Sequence, residues 1–402
     1  MMTNWILPEY VEDVLPGEAR RVEALRRRLL DLFVAHGYEL VMPPMFEYLE
    51  SLLTGTGRDL DLKTFKLVDQ LSGRMIGLRA DITPQVARID AHLLNRPGVT
   101  RLTYCGTVLH AQPSGMSRTR EVLQLGAEIY GHAGVESDIE IQGLMLDALA
   151  AAGVEGVHLD LGHVGLFRAI CRRAAFRREL EAELFQALQG KDVPLLRELT
   201  RGLPGDTRDA LLSLTELFGG VEVIGEARRR LAKWPEVEPC LAQLDAISAA
   251  LAPRVGALLV DLAELRGYHY HSGIVFAAYT SGSANTVVQG GRYDEVGQAF
   301  GRARPATGFS LDLRELAALA PAGDPPVPVK APYAPQDAAL ATEISRLRGS
   351  GEIVIAELPC TGVSGTGGTT DRIRTLTRVD GRWQIVTAAR GEAGTSLQTE
   401  HR

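Results

Sequence analysis

The chain runs to 402 residues with 45% hydrophobic and 23% charged residues, enough for two or three domains with buried cores. No apolar run approaches the roughly 18 residues that a membrane-spanning helix needs, and the start MMTNWILPEYVEDV has neither the basic nor the apolar part of a secretory signal, so the cytoplasm is the expected compartment. A net charge of −7, from 43 Lys and Arg against 50 Asp and Glu, leans against nucleic acid as the main partner. Cys105, Cys171, Cys240 and Cys360 show neither pairing nor metal-ligand spacing and read as free thiols of a reducing compartment.

Apolar residues at Val22, Leu25, Leu29, Leu32 and Phe33 recur at helical spacing, predicting a helix over 18–36 capped by Gly37. YELVMPP then reads as a strand that ends at Pro43 and Pro44, where a ladder loses its donors, and so belongs at an edge or terminus. TFKLVD and RMIGLRA flank the turn QLSG as a hairpin, and DITPQVARIDAHLL reads as a helix with Thr83 before its first-turn proline. RLTYCGTVLHAQ and EVLQLGAEIYG form a second strand pair around PSGMSRT, followed by the amphipathic helix DIEIQGLMLDALAAAG. VHLDLGHVGLFRAICRRA begins as a strand and turns helical, opening a helical insertion over about 165–254. LLVDLAEL, YHYHSGIVFAAY and TVVQGGRYDEV read as strands, and TGFSLDLRELAALA as a strand running into a helix. The proline-rich PAGDPPVPVKAP is a linker, and the tail holds a helix, a strand and a hairpin turning at Asp380-Gly381. Hairpins with interposed helices imply an α+β fold with a mostly antiparallel sheet flanked by helices. The expected division is a core over 1–320, a linker over 321–330 and a small C-terminal α/β domain over 331–402.

Taken singly, the candidate functional residues have bland readings. GGRYD is a glycine turn with a solvated arginine, and Gln124 and Glu128 are polar surface on one side of a strand. His269 and His271 share a strand face with no third metal ligand in sight, and TGVSGTGGTT lacks the lysine of a phosphate loop.

Taken in order, the segments resemble the class II aminoacyl-tRNA synthetases, most closely the histidyl enzyme, over about residues 5–318. Motif 1 corresponds to the first helix and the strand ending at Pro44, which builds the dimer interface in that family. Motif 2 corresponds to YCGTVLHAQPSGMSRTREVLQLGAEIYG and motif 3 to TGFSLDLREL, and RGYHYHSGIVF and QGGRYD resemble the two stretches specific to histidyl enzymes. Adenylation needs fixed guanidinium groups at the α-phosphate, because charge develops there. The motif 2 arginine position holds His110 and the adenine-side glutamate position holds Gln112. Motif 3 reads Asp312-Leu313-Arg314-Glu315-Leu316, with Glu315 where the family has arginine and Arg314 about 100° away around a helix. The amino-acid pocket, by contrast, keeps its polar groups. The resemblance implies a histidine site made by Asp81, Thr83, Gln124, Glu128, Arg266, Tyr270 and His271: the ammonium at Asp81 and Thr83, the imidazole at Glu128 and the carboxylate at Arg266. The Asp81 and His271 positions depart from the family's Glu and Tyr.

The tail, over 331–402, is shorter than an anticodon-binding domain and not notably basic. The resemblance therefore extends to the family of ATP phosphoribosyltransferase regulatory subunits, non-catalytic paralogues of histidyl-tRNA synthetase. It implies a regulatory role in the first step of histidine biosynthesis, with histidine as feedback effector. The implied partners are a short-form ATP phosphoribosyltransferase catalytic subunit and a second copy in a class II-type dimer, with no tRNA and no membrane. No catalytic residue, cofactor or metal is expected. The alternatives are an active histidyl-tRNA synthetase and a stand-alone histidine sensor.

Overall fold

The first amphipathic segment forms the helix Pro16–Ala35, which buries Val22, Leu25, Leu29 and Phe33, and Gly37 follows it at φ +83°. In the computed structural model, residues 6–55, 58–113, 119–268, 270–283, 285–321, 326–359 and 372–389 are described. The chain divides into two compact units, Met1–Pro321 and Ala322–Arg402.

A nine-stranded sheet organises the first unit. Its order is Glu39–Leu40, Thr100–Leu109, Glu121–Tyr130, Ala306–Asp312, Val288–Arg292, Ile274–Tyr279, His158–His163, Ala257–Asp261 and Phe218–Gly219. Two pairings are parallel, Glu39–Leu40 with Thr100–Leu109 and His158–His163 with Ala257–Asp261, and the others are antiparallel. The strand before Pro43 and Pro44 lies at one edge, as the prolines require. The hairpin Phe65–Val68 and Met75–Leu78 joins Phe46–Tyr48 in a separate three-stranded sheet.

Alternation along Glu121–Tyr130 decides where the site can be. Leu125, Ala127 and Ile129 enter the main core with the helices Pro16–Ala35 and Val135–Ala151, and Phe33 meets Phe309 edge-on at 5.9 Å. Each such buried Leu, Ile or Phe contributes roughly 1.5–3 kcal/mol. Gln124, Gly126, Glu128 and Tyr130 consequently face the opposite side. There Ile82, Val86 and Ala87 pack on Leu102, Tyr104 and Tyr130 as a second core. The helix that carries this packing runs Thr83–Arg88 and continues as a π-helical stretch Ile89–Leu94, so the polar alternate residues are covered rather than solvated.

The helical insertion does not form its own core. Leu184, Leu211, Leu241 and Leu244 belong to the same cluster as the sheet, and Phe218–Gly219 extends that sheet by pairing with Ala257–Asp261.

Two expectations need correction. The strand expected over YHYHSGIVFAAY starts only at Ile274, because the backbone N–H groups of Tyr270 and His271 both donate to the Gly267 carbonyl at 2.7 Å and wrap the preceding residues into a turn. Gly267 sits at φ +64°, and a Cβ there would lie 2.5 Å from the His271 ring, so the turn requires glycine. His269 lies outside the described residues. Arg292 of GGRYD is not solvated. Its guanidinium is buried against Asp138 at 2.8 Å and also reaches Ser137 Oγ and the His132 and Gly134 carbonyls.

The second unit has a four-stranded sheet ordered Val354–Ala356, Val329–Ala331, Arg372–Val379 and Arg382–Ala389. The helix Ala338–Gly349 makes the crossover between the first two, which are parallel, and packs Leu340 and Leu347 on Val329, Val354 and Leu376. The linker expected over 321–330 overlaps the strand that begins at Val329. The hairpin turns at Asp380 (φ +50°) and Gly381 (φ +78°), the pair of left-handed residues of a type I′ turn. TGVSGTGGTT lies outside the described residues.

Candidate functional site

Register pairs Glu128 with Gly308 across the strands, and Gly308 has to be glycine: a Cβ there would fall 1.5 Å from Glu128 Oε2. Glu128 is only 1% exposed. The Tyr104 hydroxyl donates to its Oε1 at 3.1 Å, the Tyr293 hydroxyl donates to its Oε2, and the Tyr130 hydroxyl stands 3.2 Å behind Tyr293. Burial pushes the Glu128 carboxyl up to about 8, against the lowering effect of the Tyr293 and Tyr104 hydrogen bonds. A carboxyl in this state offers both a donor and an acceptor at neutral pH.

Asp81 precedes the helix that begins at Thr83. Its Oδ1 accepts from the Thr83 backbone N–H at 2.9 Å and from Gln124 Nε2 at 2.8 Å, while Gln124 Oε1 accepts from the Ile82 N–H at 2.9 Å. Gln124 is thus a clamp that fixes Asp81. The Thr83 hydroxyl bonds that of Tyr104 at 2.9 Å, so Thr83, Tyr104 and Glu128 form one chain of hydrogen bonds.

Asp81, Thr83, Glu128, Arg266, Tyr270 and His271 line a single cavity of about 180 Å³, together with Tyr293, Asp160, Glu264 and Gln289. Gln124 does not; it lines an adjoining cavity. The Tyr270 ring tilts over Tyr293 at 5.0 Å, and its buried hydroxyl has no hydrogen-bond partner among the described residues. Burial pushes His271 down to about 4, so its imidazole is neutral at physiological pH. Arg266 Nη2 lies 3.3 Å from Glu264 Oε2 and 3.1 Å from the Tyr279 hydroxyl.

Sequence reasoning missed Tyr104, Tyr293, Asp160 and Glu264. Tyr293 was within reach, since it stands in the QGGRYD stretch. The other three carry no local signal: Asp160 and Glu264 line the cavity through the fold alone, and Tyr104 lies behind it, where its hydroxyl supports Glu128.

The adjoining cavity, of about 440 Å³, shares Asp81, Gln289 and Ser310 with the first and is also lined by Lys63, His110, Asn285, Asp312 and Glu315. His110 Nε2 lies 3.1 Å from the Ala80 carbonyl, and burial lowers its pKa, which leaves the ring neutral. Asp312 caps the following helix through the Arg314 N–H at 2.9 Å, and burial pushes it up to about 6. Arg314 does not line this cavity and points to Glu121 at 3.5 Å. Gln112 is exposed and does not line it either. Among the described residues no group of three or more His, Cys, Asp or Glu is placed to hold a metal ion.

The chemistry on offer is therefore divided. The smaller cavity presents the fixed Asp81 carboxylate, the buried Glu128 carboxyl with tyrosine partners, Asp160 and Glu264, and one guanidinium, a set suited to an ammonium and a nitrogen heterocycle. The larger one presents Lys63 as its one cation among the described residues, beside three acidic side chains.

Residues 10–316 match the family model described as histidyl-tRNA synthetase, and residues 326–386 match the one described as ATP phosphoribosyltransferase subunit HisZ C-terminal domain. The chain is 62% identical to an ATP phosphoribosyltransferase regulatory subunit of Cupriavidus metallidurans, over 89% of this chain and 93% of that one. It is 60% identical to the protein of the same name from Cupriavidus necator, over 96% of this chain and 100% of that one. Among solved structures, an ATP phosphoribosyltransferase regulatory subunit/histidyl-tRNA synthetase from Bacillus halodurans superposes with a TM-score of 0.79 at 27% identity, covering 91% of this chain and 96% of that one.

Proposed function

The chain belongs to the family of ATP phosphoribosyltransferase regulatory subunits, and on that premise we propose that it binds histidine in the cavity around Glu128 and carries feedback inhibition to a catalytic partner. As a regulatory subunit it acts in a complex with an ATP phosphoribosyltransferase catalytic subunit, at the first step of histidine biosynthesis. Histidine inserts its imidazole between Glu128 and Tyr270, sets its ammonium on Asp81 and Thr83, and turns its carboxylate toward Arg266. Gln124 holds Asp81 in place, and neutral His271 closes the wall. A tenfold difference in histidine affinity between two arrangements of the complex, about 1.4 kcal/mol, is enough to shift activity.

The chain catalyses no adenylation. The pair of adjoining cavities supports this reading: one is lined by polar partners for an amino acid, while the other is lined by neutral His110 and by Glu315 and has Lys63 as its one cation among the described residues, with no guanidinium to meet charge developing on a phosphate. Histidine is the effector and tRNA is not a ligand, in keeping with the net charge of −7. Self-association uses the face carrying Met42, Phe46 and Leu93, which are 75%, 58% and 63% exposed. The complex works in the cytoplasm; no helix among the described residues is long and apolar enough to cross a membrane.

The test mixes the full chain with a short-form catalytic subunit and follows phosphoribosyl-ATP formation with and without histidine. Activation by the wild-type chain, inhibition by histidine, and loss of that inhibition with Glu128→Ala are expected. Unchanged histidine inhibition in the Glu128→Ala complex would remove the pocket assignment.

A further inference from the structure

The cavity holds more carboxylates than one ammonium can match, and the surplus gathers at the Arg266 end. Asp160 lies on the strand His158–His163. Gly162, two residues on and so on the same face, leaves room that Glu264 fills: a Cβ at Gly162 would meet Glu264 Cβ at 2.8 Å. Arg266 is the one cation among the described residues lining the cavity. Its guanidinium is engaged by Glu264 Oε2 and the Tyr279 hydroxyl, and its backbone N–H donates to Glu264 Oε1 at 2.7 Å. The half-buried Asp160 carboxylate makes no hydrogen bond or ion pair with any described residue, and burial together with the Glu264 charge raises its pKa.

Charge at this end is thus one guanidinium against two carboxylates. An incoming ligand carboxylate meets an arginine whose charge Glu264 already matches, and it must shed water beside Asp160. Nothing comparable opposes the other two anchoring groups, since Asp81 welcomes an ammonium and Glu128 is flanked by tyrosine hydroxyls.

Building on the histidine reading above, we propose that Asp160 and Glu264 are specificity-determining residues that make the pocket select an imidazole-bearing primary amine and gain nothing from the ligand's carboxylate. The ligand class extends to amino acid derivatives with a masked or reduced carboxyl group, the α-amide and the primary alcohol, both of which carry net positive charge.

The test is calorimetric titration of the full chain, alone and with its catalytic subunit, with L-histidine, L-histidinamide and L-histidinol. Both analogues bind at least as tightly as histidine, and the double variant D160N/E264Q shifts preference toward histidine by about tenfold. Where the double variant fails to fold, D160N alone, at a half-buried and unpartnered position, shows a shift in the same direction. Histidine binding with both analogues more than about tenfold weaker overturns this proposal and leaves the histidine reading intact. Failure of all three compounds to bind overturns the histidine reading, and the specificity proposal with it.

Discussion

Replacing Glu128 by Gln isolates the group on which the pocket turns. In the folded chain burial pushes this carboxyl from 4.5 up to about 8. The sign of the linkage follows: between those two values the unfolded chain releases a proton that the folded chain retains, so stability falls as pH rises through the window. The steepest slope available is about 1.4 kcal/mol per pH unit. Glu128→Gln cannot titrate. Its amide obliges one of the two tyrosine hydroxyls to reverse, at a cost of about 1 kcal/mol that does not depend on pH. Urea unfolding of both proteins at several values between about pH 5 and pH 8 should show the variant weaker or equal at the acid end and progressively stronger than wild type toward the alkaline end. A pH-independent difference would mean that Glu128 is ionised in the folded protein, and the argument for a buried carboxyl kept protonated between tyrosine hydroxyls would then fail.

Other outcomes follow from the same contacts. Gly308→Ala places a methyl group on the Glu128 carboxylate, so it should cost about 1–3 kcal/mol in urea unfolding and remove histidine inhibition of the reconstituted complex. Arg292→Met strands the buried Asp138 and should cost roughly 3–5 kcal/mol, whereas Arg27→Met, at a pair with Glu23 whose side chains are 74% and 44% exposed, should change stability by less than about 1 kcal/mol. Burial pushes His163 down to about 4 from 6.5, so its contribution is complete above the upper value and lost as pH falls toward the lower one. A His163→Gln variant, compared with wild type by thermal melts across that range, should show the smaller loss.

Local chemistry made much of this fold legible. The helix Pro16–Ala35, the motif 2 strand pair and the turn at Asp380-Gly381 all follow from spacing and turn residues close in sequence. What stayed hidden depends on distant partners. Arg292 meets Asp138 from 154 residues away, which nothing in GGRYD announces. Alternation put Gln124 and Glu128 on one side of a strand, yet only the helix beginning at Thr83 makes that side an interior. The aromatic and β-branched content of YHYHSGIVFAAY suggested a longer strand than exists, because the left-handed Gly267 and two hydrogen bonds to its carbonyl prevail over side-chain propensity. The same turn carries Tyr270 and His271 into the cavity, so the misjudged segment is also part of the candidate site.

The proposed division between a histidine pocket and a neighbouring cavity without adenylation chemistry is tested most directly by ATP–pyrophosphate exchange with the purified chain at saturating histidine. No exchange above a protein-free control is predicted, in preparations that bind histidine. Histidine-dependent exchange would contradict it, since that requires the α-phosphate chemistry that His110 and Glu315 cannot support.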